Sequence, residues 1–130
     1  MSWVEIFVVL VVSHLVGDYL VQTDWQATHK HGGLGPDPAA RRALLSHAAT
    51  YTLAFVPALI WLAGELGAGV LLAAAAIGLP HLVQDDGRVV AWWMAHVKHA
   101  DIHEEPIVAA CVDQVLHVCV LFALALALGQ

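Results

Sequence analysis

Charge is what this sequence has least of. Lysine and arginine together number 5 against 11 acidic residues, and charged side chains make up only 12% of the 130 residues, roughly half the share of an average soluble domain. A net charge of −6, with no aromatics interleaved among basic residues, argues against nucleic acid as a partner. Cysteine is nearly as scarce. Cys111 and Cys119 lie about 12 Å apart along a helix, too far to pair with each other, and read as small apolar side chains. No basic n-region and no small-residue cleavage site precede the first apolar run, so that run is expected to persist as a membrane span. No Gly-x-Ser-x-Gly elbow occurs. Ser13 and Ser46 adjoin His14 and His47 but point about 100° away around a helix.

What the chain has instead is apolar surface: 60% hydrophobic residues and a mean hydropathy of +0.74. That surplus has no single soluble core to fill, and the bilayer is the better solvent. A helical crossing needs about 20 mostly apolar residues. Four stretches meet this approximately, at 3–22, 43–63 (interrupted by Pro57), 67–84 (with Pro80 near its end) and 106–128. The expected fold is all-α: a polytopic membrane protein in which residues 1–130 form one domain of four transmembrane helices.

Every lysine and arginine falls in the connections 23–42 and 85–105, as Lys30, Arg41, Arg42, Arg88 and Lys98. With four spans both connections share a side, which the positive-inside rule assigns to the cytoplasm, leaving both termini outside. In the second connection Trp92 and Trp93 stand beside His96, Lys98 and His99. This predicts a short interfacial helix at headgroup level, with Trp25 a similar anchor in the first connection.

Against this apolar background one set of residues stands out. The first span holds His14-x-x-x-Asp18, the third His81-x-x-x-Asp85, and the fourth Asp113-Gln114-x-x-His117, the same pair reversed; the second holds His47. Residues four apart on a helix are offset by about 40° around it and about 6 Å along it, so each pair presents imidazole and carboxylate on one face. Measured from the loop-side ends of the spans, all seven fall in the cytoplasmic half and can converge.

An aspartate at a helix centre costs about 2.5–3.5 kcal/mol to insert, and three carboxylates together repel unless a cation compensates them. Four imidazoles and three carboxylates suit divalent first-row ions, zinc foremost, with manganese and iron also matching the donors. Seven candidate ligands (His14, Asp18, His47, His81, Asp85, Asp113 and His117) exceed the four of a closed zinc site. Two ions with an open position for water meet the count; so does one ion with the remaining groups in support. One of Asp18, Asp85 and Asp113 then acts as general base or bridging ligand. The structural alternative is a set of helix-packing pairs or a proton relay.

Neighbouring residues suit supporting roles. Gly17 permits close helix approach, Pro80 removes a backbone bond before His81, and Gln22, Gln84 and Gln114 can orient ligands. Tyr19 and Tyr51 read as packing residues, and His29, His31, His96, His99 and His103 as solvated loop histidines.

The run His14-Leu15-Val16-Gly17-Asp18-Tyr19-Leu20-Val21-Gln22, with Trp25, Ala27 and Lys30 following, resembles the opening motif of a family of small bacterial inner-membrane proteins. That family is catalogued as domain of unknown function thirty-three-oh-seven. His47, the His81/Asp85 pair and Asp113-Gln114-x-x-His117 match the rest of its signature. Where the family pattern carries a lysine after the third pair, this chain has Arg88, which keeps the charge and changes its geometry. The resemblance implies a helical protein of the bacterial inner (plasma) membrane. A more distant similarity points to inner-membrane proteins described as metal-dependent hydrolases.

The leading expectation is therefore a membrane-embedded, metal-dependent hydrolase acting on a lipid or phosphoester at the cytoplasmic leaflet. Its partners would be membrane lipids and a small amphiphilic substrate, and its many alanines and glycines offer a homodimer face. A divalent-metal transporter or sensor, and a non-haem metal oxidoreductase, are the competing readings.

Overall fold

The computed structural model describes residues 1–129, and among them every regular element is a helix. Helix α1 (Trp3–Leu15) starts at a reciprocal cap: the Ser2 hydroxyl accepts the Glu5 amide and the Glu5 carboxylate accepts the Ser2 amide, relieving two of the four orphan donors of a helix start. It widens into a π-helical turn, Val16–Val21, before ending at Gln22. Helix α2 (Asp24–His29) opens on the same kind of cap, Thr23 with Gln26. Helix α3 (Pro38–Ala54) is capped by Asp37, with Pro38 in the first turn, where its missing amide costs nothing.

Helix α4 (Val56–Leu66) follows after Phe55, with Pro57 in its first turn. It ends at Gly67, whose φ of +54° is open to glycine at little cost. Helix α5 (Val70–Asp85) contains Pro80. Helix α6 (Arg88–Trp93) runs on through a π turn, Met94–Lys98, and α7 (Pro106–Leu128) closes the chain.

Three stretches are long and apolar enough to cross a membrane: Trp3–Val21, Val56–Asp85 and Pro106–Leu128. The first and last agree with the expected spans. The middle of the chain is divided differently. Helix α3 begins at Pro38, carries Arg41 and Arg42 in its first half, and breaks from α4 ahead of Pro57. The stretch Val56–Asp85 is itself interrupted at Gly67. Helix α1 packs on α7, α3 on α5 and on the π turn of α1, and α5 on α7 and α4.

The buried positions repeat at four-residue intervals. Helix α1 buries Ile6, Leu10, His14 and Asp18; α3 buries Ala43, His47 and Tyr51; α5 buries Ala73, Ile77, His81 and Asp85; α7 buries His117, Leu121 and Ala125. Ridges of this spacing are what neighbouring helices interlock. Toward the termini the ridges are apolar, forming a core of Ile6, Leu10, Phe55, Leu62, Ile77 and Leu121 with their neighbours. Toward the long connections the ridges of α1 and α5 become ionisable, while on α3 and α7 the buried His47 and His117 are followed on that side by the apolar Ala43, Leu44, Ala109 and Val112. The outward faces, including Val8, Val12, Ile60, Leu71, Leu72, Val115 and Leu126, are exposed and apolar, as a lipid-facing surface would be.

Candidate metal centre

The ionisable positions of the four ridges meet at one place. Three overlapping trios present donor atoms within 4.8 Å of one another: Asp18, His81 and His117; His47, His81 and Asp85; and Asp85, Asp113 and His117. The structure thus gathers six of the seven predicted residues into one cluster, Asp85, His81 and His117 each belonging to two trios.

Asp85 is its hub. Its Oδ2 lies 2.7 Å from Lys30 Nζ, 2.9 Å from His47 Nε2 and 3.3 Å from His81 Nε2, and its Oδ1 lies 3.2 Å from His117 Nε2. His47 Nε2 is also 3.3 Å from Asp18 Oδ1, and the His47 and His81 Nε2 atoms are 3.1 Å apart. Asp18, His47, His81, Asp85 and His117 are all buried, while the Asp113 side chain keeps 23% of its surface exposed.

Several of these atoms are close without being aligned as donor and acceptor. Among the described residues, Asp85 Oδ1 and His117 Nε2 make no hydrogen bond to each other or to any other group, and Asp18 Oδ1 likewise makes none. Buried polar atoms are nearly always paired. Lone pairs that converge instead of matching donor to acceptor are the pattern of a cation site, and the donor set of imidazole and carboxylate suits a first-row divalent ion.

His14 is adjacent to the trios but outside them. Its Nδ1 is 3.1 Å from the Tyr51 hydroxyl and 3.6 Å from Asp18 Oδ2, and its Nε2 is 3.1 Å from Gln114 Oε1. Gln114 in turn donates from its Nε2 to Asp18 Oδ2 and Asp113 Oδ2, both at 3.3 Å. The expected orienting role of Gln114 thus has its geometry: one amide spans the first and last helices. His117 Nδ1 is 2.8 Å from the Asp113 carbonyl, which leaves Nε2 to face the cluster.

Two local features set these positions. The π turn carries Gly17 and Asp18, and turns of this kind are a rare distortion found most often at functional sites. Gly17 lets the turn close on α3, since a Cβ there would stand 2.7 Å from Tyr51 Cδ2.

Three residues that matter here were not read as site residues from the sequence. Tyr51, expected to be mere packing, bonds His14 and stacks on the His81 ring with centroids 3.4 Å apart. Lys30 reaches in from the first connection to Asp85 and is buried; three acidic groups with no cation in any span were the available signal. Asp86 is buried beside the cluster, accepting the Leu34 amide at 2.7 Å and lying 3.1 Å from Arg88 Nε. The Asp86 carbonyl accepts the Gly32 amide, which holds the first connection against the end of α5. Gln84 is buried, and its Oε1 has no hydrogen-bond partner among the described residues. Tyr19 and the histidines at 29, 31, 96, 99 and 103 are exposed, and Cys111 and Cys119 are free and exposed.

A cavity of about 550 Å³ opens beside the cluster, between the end of α2, α6 and the start of α7, with Lys30 and Asp113 among its lining residues. Asp113, the one partly exposed member of the trios, is therefore where the cluster meets open space.

The family described as Protein of unknown function (DUF3307) matches residues 6–130. The chain belongs to this family. The match takes in all three His/Asp pairs, His47, Lys30 and Tyr51, so the whole cluster is built from residues within the DUF3307 region. No curated protein and no solved structure matches the chain.

Proposed function

We propose that this DUF3307 protein is a membrane-embedded, metal-dependent hydrolase acting on an ester or phosphoester carried by a lipid. One observation carries the reading. Asp18, Asp85 and Asp113 lie together with Lys30 as their one nearby ammonium, so with neutral imidazoles two negative charges remain. A single divalent ion offsets them, and a second is accommodated if hydroxide or an anionic substrate joins it.

In this reading Asp85 would be shared between two positions, one that would be held with His47, His81 and Asp18 and another with His117 and Asp113. The first is enclosed, as a structural position would be; the second borders the cavity. Residues at that second position would hold a divalent ion, whose chemistry when bound would be a water of lowered pKa and a Lewis acid for the scissile group. Zinc is the first candidate for that donor set. Asp113, oriented by Gln114, is placed to take the proton of the attacking water. Lys30 holds Asp85, while His14 works from behind through Tyr51 and Gln114, fixing donors as metal-site supports do.

The competing transport reading needs polar groups along an exit path. The core toward the termini is built of Leu10, Phe55, Leu62, Ile77 and Leu121, which offer an ion nothing to replace its hydration. Four crossings are part of the proposal: α3 and α4 as one kinked span and α5 as its antiparallel neighbour, with both connections cytoplasmic at the inner membrane and α6 at the interface. Reporter fusions at the two termini test that orientation and are expected to read outside.

Elemental analysis of the purified full chain, beside His81→Ala and Asp113→Ala, tests the site. Stoichiometric metal is expected in the parent, with loss in His81→Ala and at least partial loss in Asp113→Ala. A metal-free parent, or unchanged metal in both variants, overturns the reading. So does a metal-loaded protein that turns over no lipid ester or phosphoester under any metal condition.

A further inference from the structure

We propose that the cavity beside Asp113 is the binding site for an anionic, phosphate-bearing lipid headgroup, the substrate class of the hydrolase on whose reading this rests. The residues lining the cavity are of two chemical kinds, termed its apolar and polar walls. Val90, Ala91, Ile102, Pro106, Ala109 and Ala110 make up the apolar one, contributed by α6, the first turns of α7 and, in Ile102, the connection between them. The other carries His31, Arg88 and His103, with Lys30 and Asp113.

With Asp113 committed to the metal and Lys30 to Asp85, Arg88 is the group of the polar wall that would receive an anion. The second carboxylate of that wall, Asp86, is already engaged by the Leu34 amide and by Arg88 Nε. Arg88 Nε lies 3.1 Å from Asp86 Oδ2 as an ion-pair contact with no aligned hydrogen bond, and its side chain is 65% exposed, so its planar fork is open to a ligand. Guanidinium in that geometry matches two phosphate oxygens at once. His31 and His103 add two exposed imidazoles at the same rim.

A choline-type headgroup is disfavoured. Quaternary ammonium groups are recognised by aromatic faces, and no Phe, Tyr or Trp lines the cavity. A soluble sugar phosphate is disfavoured too, because the apolar wall has nothing to bond its hydroxyls. The volume of about 550 Å³ is that of a small-molecule pocket. It takes a headgroup and its first methylenes, leaving the acyl chains to run out along the exposed apolar face of α7.

Native mass spectrometry of the detergent-purified full chain tests this, with phosphatidate and phosphatidylcholine as probes and inorganic phosphate as competitor. Phosphatidate is expected to be retained at least tenfold better than phosphatidylcholine, and Arg88→Gln to lower its retention about tenfold, as loss of a charge-assisted contact does. Ala110→Trp, which fills the apolar wall from an exposed position, is expected to weaken both lipids while the metal content stays as in the parent. Equal retention of the two lipids, no effect of Arg88→Gln, or displacement of phosphatidate by equimolar inorganic phosphate overturns the proposal. Elemental analysis of the same samples separates the two claims: selective lipid retention without metal sinks the hydrolase alone, and metal without lipid selectivity sinks the headgroup site alone.

Discussion

The two ends of this helical bundle are built on the same four-residue ridges and filled with opposite chemistry. On α1 the ridge runs Ile6, Leu10, His14, Asp18, and on α5 it runs Ala73, Ile77, His81, Asp85. Toward the termini these ridges interlock as hydrocarbon; toward the connections they meet as imidazole and carboxylate, with a smaller apolar cluster of Val90, Met94, Ala109 and Val112 at the same end. The difference teaches what each end is for. The apolar end packs by shape alone, whereas the ionisable end carries an insertion cost that its ion pair with Lys30 offsets only in part, which leaves charge for a bound cation to compensate.

Substitutions can break or sharpen that contrast. The largest effect is expected from Asp85→Ala, which strands Lys30 as a buried unpaired ammonium. Removing one partner of such a pair costs about 3–5 kcal/mol, readable as a lowered unfolding midpoint in detergent, and bound metal should vanish. Adding Lys30→Met to Asp85→Ala should recover most of the stability and none of the metal; recovery of both would show the cluster to be an ion-pair network only.

Leu121→Ala probes the other end. A cavity in the apolar core costs about 2–5 kcal/mol, and metal content should stay at the parent level. Gly17→Ala tests the boundary between the two, where the new methyl meets the Tyr51 ring. Overpacking of about 1–3 kcal/mol is expected in the melting curve, together with weaker metal binding, because Asp18 is the next residue. For His14→Ala a 10–100-fold loss of metal affinity, without complete loss of metal, is expected from its supporting position, measured by chelator competition. Val115→Ala on the exposed face of α7 should change stability by no more than about 0.5 kcal/mol.

The outer helices could be read from the sequence almost to the residue, because a long apolar run between polar turns has few alternatives. The ionisable set could be read too: burial is costly enough that its periodic placement carries information. What could not be read depends on how the chain folds back. Lys30 lies in a polar connection, where a lysine is ordinarily solvated, and only tertiary folding buries it on Asp85. Tyr51 looks like any aromatic on a helix until its hydroxyl is found on His14. The interruption at Pro57 was legible, but the start of α3 at Pro38 was not, because its first turns carry Arg41 and Arg42 and hydropathy alone assigns them to a loop.

The wide turn at Val16–Val21 gives the first helix an unusual vulnerability. Losing one residue there would let the backbone relax to ordinary α geometry; because the wide turn holds about one extra residue, the flanking segments would stay nearly in phase and only the residues of the turn, Asp18 among them, would change direction. Hydropathy would scarcely change and the segment could still cross a bilayer, yet a carboxylate would swing out of phase with its partners. A single-codon deletion in this hexapeptide is therefore a way to silence the centre while sparing the scaffold.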